Sequence, residues 1–142
     1  MNSINVVIDT NVLATAIKSK NGASYRLLME LPNGSYKPNI SVPLFVEYED
    51  VLKRASLNTG LSSSDIDDIL NYLLSKSDIR EIFYLWRPFL KDPKDDMVLE
   101  LAVESNSRYI ITFNIKDFKD IQKFGIQALT PQEFLKLRGI IK

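Results

Sequence analysis

Four groups of acids and amides are spread along the chain: Asp9; Glu47; Asp92, Asp95 and Asp96; and Asn114 with Asp117. Histidine and cysteine are both absent. That excludes the commonest general base, thiolate nucleophiles, disulfides and zinc–cysteine sites, and leaves carboxylates, hydroxyls, amides, Lys and Arg to do any chemistry. Carboxylate and amide oxygens drawn from separate elements are hard ligands, suited to Mg²⁺ or Mn²⁺ rather than to zinc or copper. A cation held by them generates hydroxide from bound water, orients it in line with phosphorus and neutralises charge on the phosphate oxygens. Phosphodiester hydrolysis fits such a set and needs neither His nor Cys.

Each group also has an ordinary structural use. Asp9 ends an apolar run and can cap a helix beginning near Val12. Glu47 lies three residues from Leu44 and four from Val51, which puts a carboxylate in the apolar stripe of its own helix, where an acid without a partner is costly. Glu49, Asp50 and Lys53 have the usual solvent-facing spacing. Asp92 as N-cap, Pro93 at the first position and Asp95 at the third would form an acidic capping box. One acid suffices for a cap, and crowding three there adds repulsion that a bound cation relieves. Asn114 and Asp117 can form a simple turn.

The elements that must position these groups follow from periodicity. Ile4 to Ile8 reads as a central strand, and Ala23, Leu27, Leu28 and Leu31 have helical spacing up to the stop at Pro32, Asn33 and Gly34. Ile40 to Val42 reads as a second strand, with Pro43 opening a helix through Leu44, Tyr48, Val51, Leu52 and Ala55. Ser62 to Ser64 offer N-caps to a helix carrying Ile66, Ile69, Leu70, Leu73 and Leu74. Ile79 to Leu85 reads as a third strand, Asp92 and Pro93 open a helix through Ala102, and Tyr109 to Thr112 is a fourth strand. Ile126 to Leu129 makes a fifth, before a capping box of Thr130, Pro131 and Glu133. Alternation of this kind implies an α/β fold, a parallel sheet covered on both faces with right-handed crossovers. Sites on such sheets gather beyond the carboxyl ends of the strands, where all four acid groups fall.

A chain of 142 residues, 45% of them hydrophobic, can bury one substantial core, and we expect a single domain over residues 1–142. Apolar runs fall far short of a membrane span and no signal stretch opens the chain, so the expectation is a soluble cytoplasmic protein. Eighteen basic and eighteen acidic residues cancel, so no global charge draws the chain to nucleic acid; a local basic rim remains open to it.

The segments Val-Val-Ile-Asp-Thr-Asn-Val from Val6, Pro-Leu-Phe-Val-Glu-Tyr-Glu-Asp-Val-Leu from Pro43, Asp-Pro-Lys-Asp-Asp from Asp92 and Tyr-Ile-Ile-Thr-Phe-Asn-Ile-Lys-Asp-Phe from Tyr109 resemble the four signature regions of PIN domains. They cover nearly the whole chain in the right order, and the nearest likeness is to the toxins of toxin–antitoxin systems. The resemblance implies a three-layer α/β/α sandwich around a parallel sheet of about five strands. It also implies Mg²⁺- or Mn²⁺-dependent endoribonuclease activity, a homodimer and a small antitoxin partner. Asp9 matches the family's first acid and Glu47 its second. The third falls on Asp95 or Asp96: alignment on the helix through Ala102 favours Asp95, counting back from Thr112 favours Asp96, and we prefer Asp95. Asn11 and Thr112 match supporting polar residues. The fourth position departs from that branch, with Asn114 where Asp is usual and Asp117 three residues on to supply the charge. One formal charge fewer favours one metal over two, and an alternative reading is a PIN-fold module of weakened catalysis that acts by binding.

Candidates for gripping RNA are Lys18, Lys20 and Arg26, Lys53 and Arg54, and Lys116 and Lys119, with Tyr25 and Trp86 as possible stacking faces, although surface lysines more often only solvate a face. A receiver domain would place an acceptor Asp after the third strand, where this chain runs Trp86, Arg87, Pro88. Five glycines with no phosphate-loop arrangement argue against a nucleotide-binding fold.

Overall fold

The computed structural model describes residues 4–82 and 88–142. Its strands are β1 (Ile4–Ile8), β2 (Tyr36–Ile40), β3 (Asp78–Ile79), β4 (Tyr109–Ile111) and β5 (Gln127–Leu129). Its helices are α1 (Thr10–Lys18), α2 (Ala23–Met29), α3 (Val42–Ala55), α4 (Ser63–Ser75), α5 (Pro93–Glu104) and α6 (Pro131–Leu137). The five strands form one all-parallel sheet in the order β3-β2-β1-β4-β5. β1 is central, as its β-branched run requires: Val6, Val7 and Ile8 are buried on both faces.

The chain leaves β1 for β2 and β3 on one side, then returns across β1 to β4 and β5 on the other. That reversal puts the topological switch between β1 and β4, where open sheets leave a crevice at the strands' carboxyl ends. α1 packs on α2 and α3, α3 packs on α4, and α5 lies against β1, β2 and β4, so the sheet is the middle of three layers. Leu13, Leu27, Leu44, Leu52, Leu70 and Leu99 fill the core between sheet and helices.

Local capping agrees with the side-chain chemistry. Ser62 and Asp65 close a reciprocal capping box on α4, and Thr130 with Glu133 closes another on α6. The second strand differs from expectation. It runs from Tyr36 to Ile40 rather than from Ile40 to Val42, and Val42 already belongs to α3, whose N-cap is Ser41. Pro38 lies inside this strand, where it removes a donor from the ladder. Beside it, the Asn39 side-chain amide donates to the carbonyls of Val6 and Lys37 at 3.4 and 3.2 Å, supplying donors in the same stretch. The expected third strand is shorter: β3 ends at Ile79, with Arg80 N–H still donating to the Ile40 carbonyl at 2.9 Å, and its expected continuation through Phe83, Tyr84 and Leu85 lies outside the described residues. Trp86 lies outside them as well.

Candidate active site

Asp9 is the first residue past β1 and the N-cap of α1. Its two carboxylate oxygens have separate tasks: Oδ1 accepts from the Thr10 backbone N–H at 2.9 Å, and Oδ2 accepts from the Thr112 hydroxyl at 2.8 Å. Thr112 follows β4, is fully buried, and its Oγ1 also accepts from the Asn114 N–H at 2.9 Å. One hydroxyl thus ties the loop after β4 to the carboxylate after β1, across the switch point. Capping and site-building are the same contact set here.

Glu47 is carried by α3, with its side chain 15% exposed. Oε2 accepts from the Thr10 hydroxyl at 2.5 Å, and Oε1 lies 3.8 Å from the Lys94 ammonium, on a side chain that is 70% exposed. The next residue, Tyr48, is buried and its hydroxyl donates to the Ile8 carbonyl at the end of β1. That bond fixes the turn of α3 bearing Glu47 against the strand bearing Asp9. Thr10, Tyr48 and Lys94 are positioning residues that the sequence did not single out; each neighbours an expected acid, and chain proximity was the one signal available.

The adjacent aspartates of α5 separate. Asp92 caps the helix by accepting from Lys94 N–H at 2.9 Å, so the expected box with Asp95 does not form and Asp95 is left to the site. Asp96, only 1% exposed, turns away: its Oδ1 accepts from the backbone N–H groups of Leu90 at 2.8 Å and Phe89 at 3.3 Å. Asp96 therefore holds the incoming loop, and the geometry brings Asp95, not Asp96, to the other acids. Glu100, one turn further along α5, is a second buried acid that the sequence reading passed over, although its place between Leu99 and Leu101 marked it.

The electrostatics join these groups. Burial pushes the Asp95 carboxyl up to about 7, helped by the negative charges of Asp9, Asp92, Asp117 and Asp96. Burial also raises Asp9, reinforced by Glu47 and Asp117 and opposed by the hydrogen bonds from Thr112 and Thr10. Asp117 sits in the short 3₁₀ turn Ile115–Phe118 after β4, exposed, and acts on both carboxylates. Asn114 is exposed and makes no side-chain cap on that turn.

The donor set fits a hard divalent cation: oxygen ligands only, from β1, α3, α5 and the loop after β4, in a field of like charge that a cation would relieve. Two residues after Asp9 in the chain, the buried Asn11 Oδ1 has no hydrogen-bond partner among the described residues. Among the described residues no three acids already form a closed cage, because Glu47 is engaged by Thr10 and Lys94 and Asp96 by the loop. Side-chain rotation would be needed to gather them.

The basic candidates scatter. Arg26, Lys53 and Arg54 are in ion pairs with Glu30, with Glu49 and Asp67, and with Asp50. Lys20 and Arg26 line a shallow groove near α6, Lys18 closes α1, and Tyr25 lines an apolar groove. Lys116 and Lys119 flank Asp117.

Among the described residues, no helix is long and apolar enough to cross a membrane. No curated protein matches the chain. The family model of the PIN domain matches residues 5–116, well over half of the chain, taking in Asp9, Glu47, Asp95, Asp96 and Asn114 and ending one residue before Asp117, so this chain belongs to the PIN-domain family.

Proposed function

We propose that the protein is a metal-dependent endoribonuclease, hydrolysing RNA phosphodiester bonds with Mg²⁺ or Mn²⁺ held by Asp9, Glu47 and Asp95 and with Asp117 adding negative charge. PIN domains are nucleases as a class, which supports hydrolysis of a phosphodiester. The observation that carries the reading is the convergence of Asp9 and Asp95, from different elements, at the β1–β4 switch point, where burial, with the neighbouring acids adding to it, pushes Asp95 up to about 7.

When bound, the cation supplies a hydroxide and neutralises charge on the phosphate. The chain's own residues hold the ligands in place. Thr112 and the Thr10 N–H orient the Asp9 carboxylate, and the Thr10 hydroxyl orients Glu47. Supporting bonds of that kind typically carry 10–100-fold in metal affinity or activity, by the general order of magnitude. Lys94 balances Glu47 from an exposed arm, which leaves its ammonium near any strand that enters.

The finer reading is the toxin half of a toxin–antitoxin pair, working as a homodimer. An apolar groove between α1, α2 and α4, lined by Leu13, Ile17, Leu28, Met29, Ile69 and Tyr72, supports a protein partner such as an antitoxin. Purified protein is expected to cut single-stranded RNA with Mn²⁺ or Mg²⁺, and Asp9→Asn to abolish cutting while the circular dichroism stays native. Expression of the wild type, but not of Asp9→Asn, should arrest growth. Wild type and variant equally inert on a broad RNA panel would overturn the nuclease reading in favour of a binding module, for which Asn114 in place of an acid is the supporting residue.

A further inference from the structure

Beside Asp117 lies a cavity of about 420 Å³ lined by Phe89, Leu90, Lys91, Lys116, Asp117, Lys119, Asp120 and Lys123. Four lysines face two aspartates there, a local excess of positive charge in a chain whose formal net charge is zero. Among the described residues none of the four lysines is in an ion pair, which is equally so of Lys18, Lys20, Lys76 and Lys136, but these four line one cavity together. Four cations offset by only two aspartates around one cavity leave a net positive charge there, which attracts an anion.

The cavity is also built. Its Phe89–Leu90 wall is fixed by the buried Asp96 carboxylate through two backbone hydrogen bonds. Phe89 stacks edge-on against Phe124 at 5.3 Å, and the Lys123 ammonium sits 4.6 Å over the Phe89 ring. The opposite wall is the 3₁₀ turn of Lys116 and Asp117, which is anchored by buried Phe118 and continues to Lys119. Asp117 is thus shared: it lines the cavity and it repels Asp9 and Asp95. The same turn of α5 sends Asp95 to the acids and Asp96 to the cavity wall.

We infer that this cavity, through Lys91, Lys116, Lys119 and Lys123, binds a phosphate of single-stranded RNA flanking the one that is cut, and so sets the direction in which the strand crosses the acids. The inference rests on the nuclease reading for its ligand. It goes beyond that reading by naming Lys91 and Lys123, and by giving Asp96 the task of holding the wall.

The test uses metal-free protein in EDTA and a fluorescein-labelled oligouridylate of about 12 nucleotides, long enough to span both sites. Anisotropy is titrated between about 50 and 200 mM KCl, because each phosphate neutralised on a single strand contributes a slope of about −0.7 in log affinity against log salt. Lys119→Ala/Lys123→Ala should flatten the slope by up to about 0.7, the contribution of that one phosphate, and weaken binding at the low-salt end. Lys119→Arg/Lys123→Arg should restore the slope, and Lys76→Ala/Lys136→Ala, remote from the cavity, should leave it as in wild type. Equal effects of the two alanine pairs, or no effect of the cavity pair, would overturn the inference, as would absence of RNA binding by wild type. Cleavage with Mn²⁺ is scored separately. Wild type that binds through the cavity but never cuts leaves the inference standing and removes the nuclease reading; cutting with an unaltered salt slope in the cavity pair does the reverse.

Discussion

Asp95 and Asp96 are neighbours on one helical turn and meet opposite environments. Asp96 is buried but satisfied by two backbone N–H groups, while Asp95 is half-buried among negative charges and is pushed up to about 7. Their replacements should therefore separate cleanly. Asp96→Ala strands two donors and should cost about 1–3 kcal/mol of stability in chemical denaturation. Asp95→Asn strands none and removes repulsion. Since the folded carboxyl titrates near 7 against 3.8 for the free group, the folded state holds the proton more tightly. The associated stabilisation is complete below about 3.8 and is lost as pH rises to about 7. Metal-free wild type is thus expected to lose stability relative to Asp95→Asn across that window and to run parallel to it above. Parallel behaviour throughout would mean that neither burial nor the neighbouring acids raises Asp95 in the folded state.

At the scale of elements, the site depends on how α3 is docked. Tyr48 donates to the last carbonyl of β1, so α3 and β1 move as one piece and Glu47 stays opposite Asp9. Tyr48→Phe keeps the ring and leaves a buried carbonyl unpaired, and should cost about 1–2 kcal/mol. It should also weaken Mn²⁺ binding, by loosening the Glu47 side of the site alone; an affinity equal to wild type would show that the docking is redundant. Elements with local signals were readable from sequence: β1 by its β-branched run, α4 and α6 by their capping boxes. β2 was misplaced because Pro38 breaks the strand pattern, and the Asn39 side-chain bonds that make up for it are tertiary. At the site, Asp9 and Glu47 could be picked out from strand end and stripe position. Between Asp95 and Asp96 the alignment on α5 leaned to Asp95, but strand end and stripe position did not separate them, because what sets Asp96 apart is its hold on the Phe89–Leu90 loop.

For the whole molecule, the acids sit on pieces that exist together only in the native fold: the end of β1, α3, α5 and the loop after β4. An unfolded chain offers no such site, so a divalent cation held as proposed would bind the native state alone and stabilise all three layers at once. At a concentration 100-fold above its dissociation constant, Mn²⁺ adds about 2.7 kcal/mol. For a domain of this size that raises the melting temperature by on the order of 10 °C. The shift should be the same by far-ultraviolet circular dichroism and by intrinsic fluorescence, because the ligands span the sheet and both helical layers. It should be larger at pH 8 than at pH 6, since at the lower pH the cation must displace the proton that Asp95 holds up to about 7. Asp9→Asn should remove most of it. A shift that survives Asp9→Asn, or that is independent of pH, would place the cation somewhere other than at the β1–β4 switch point.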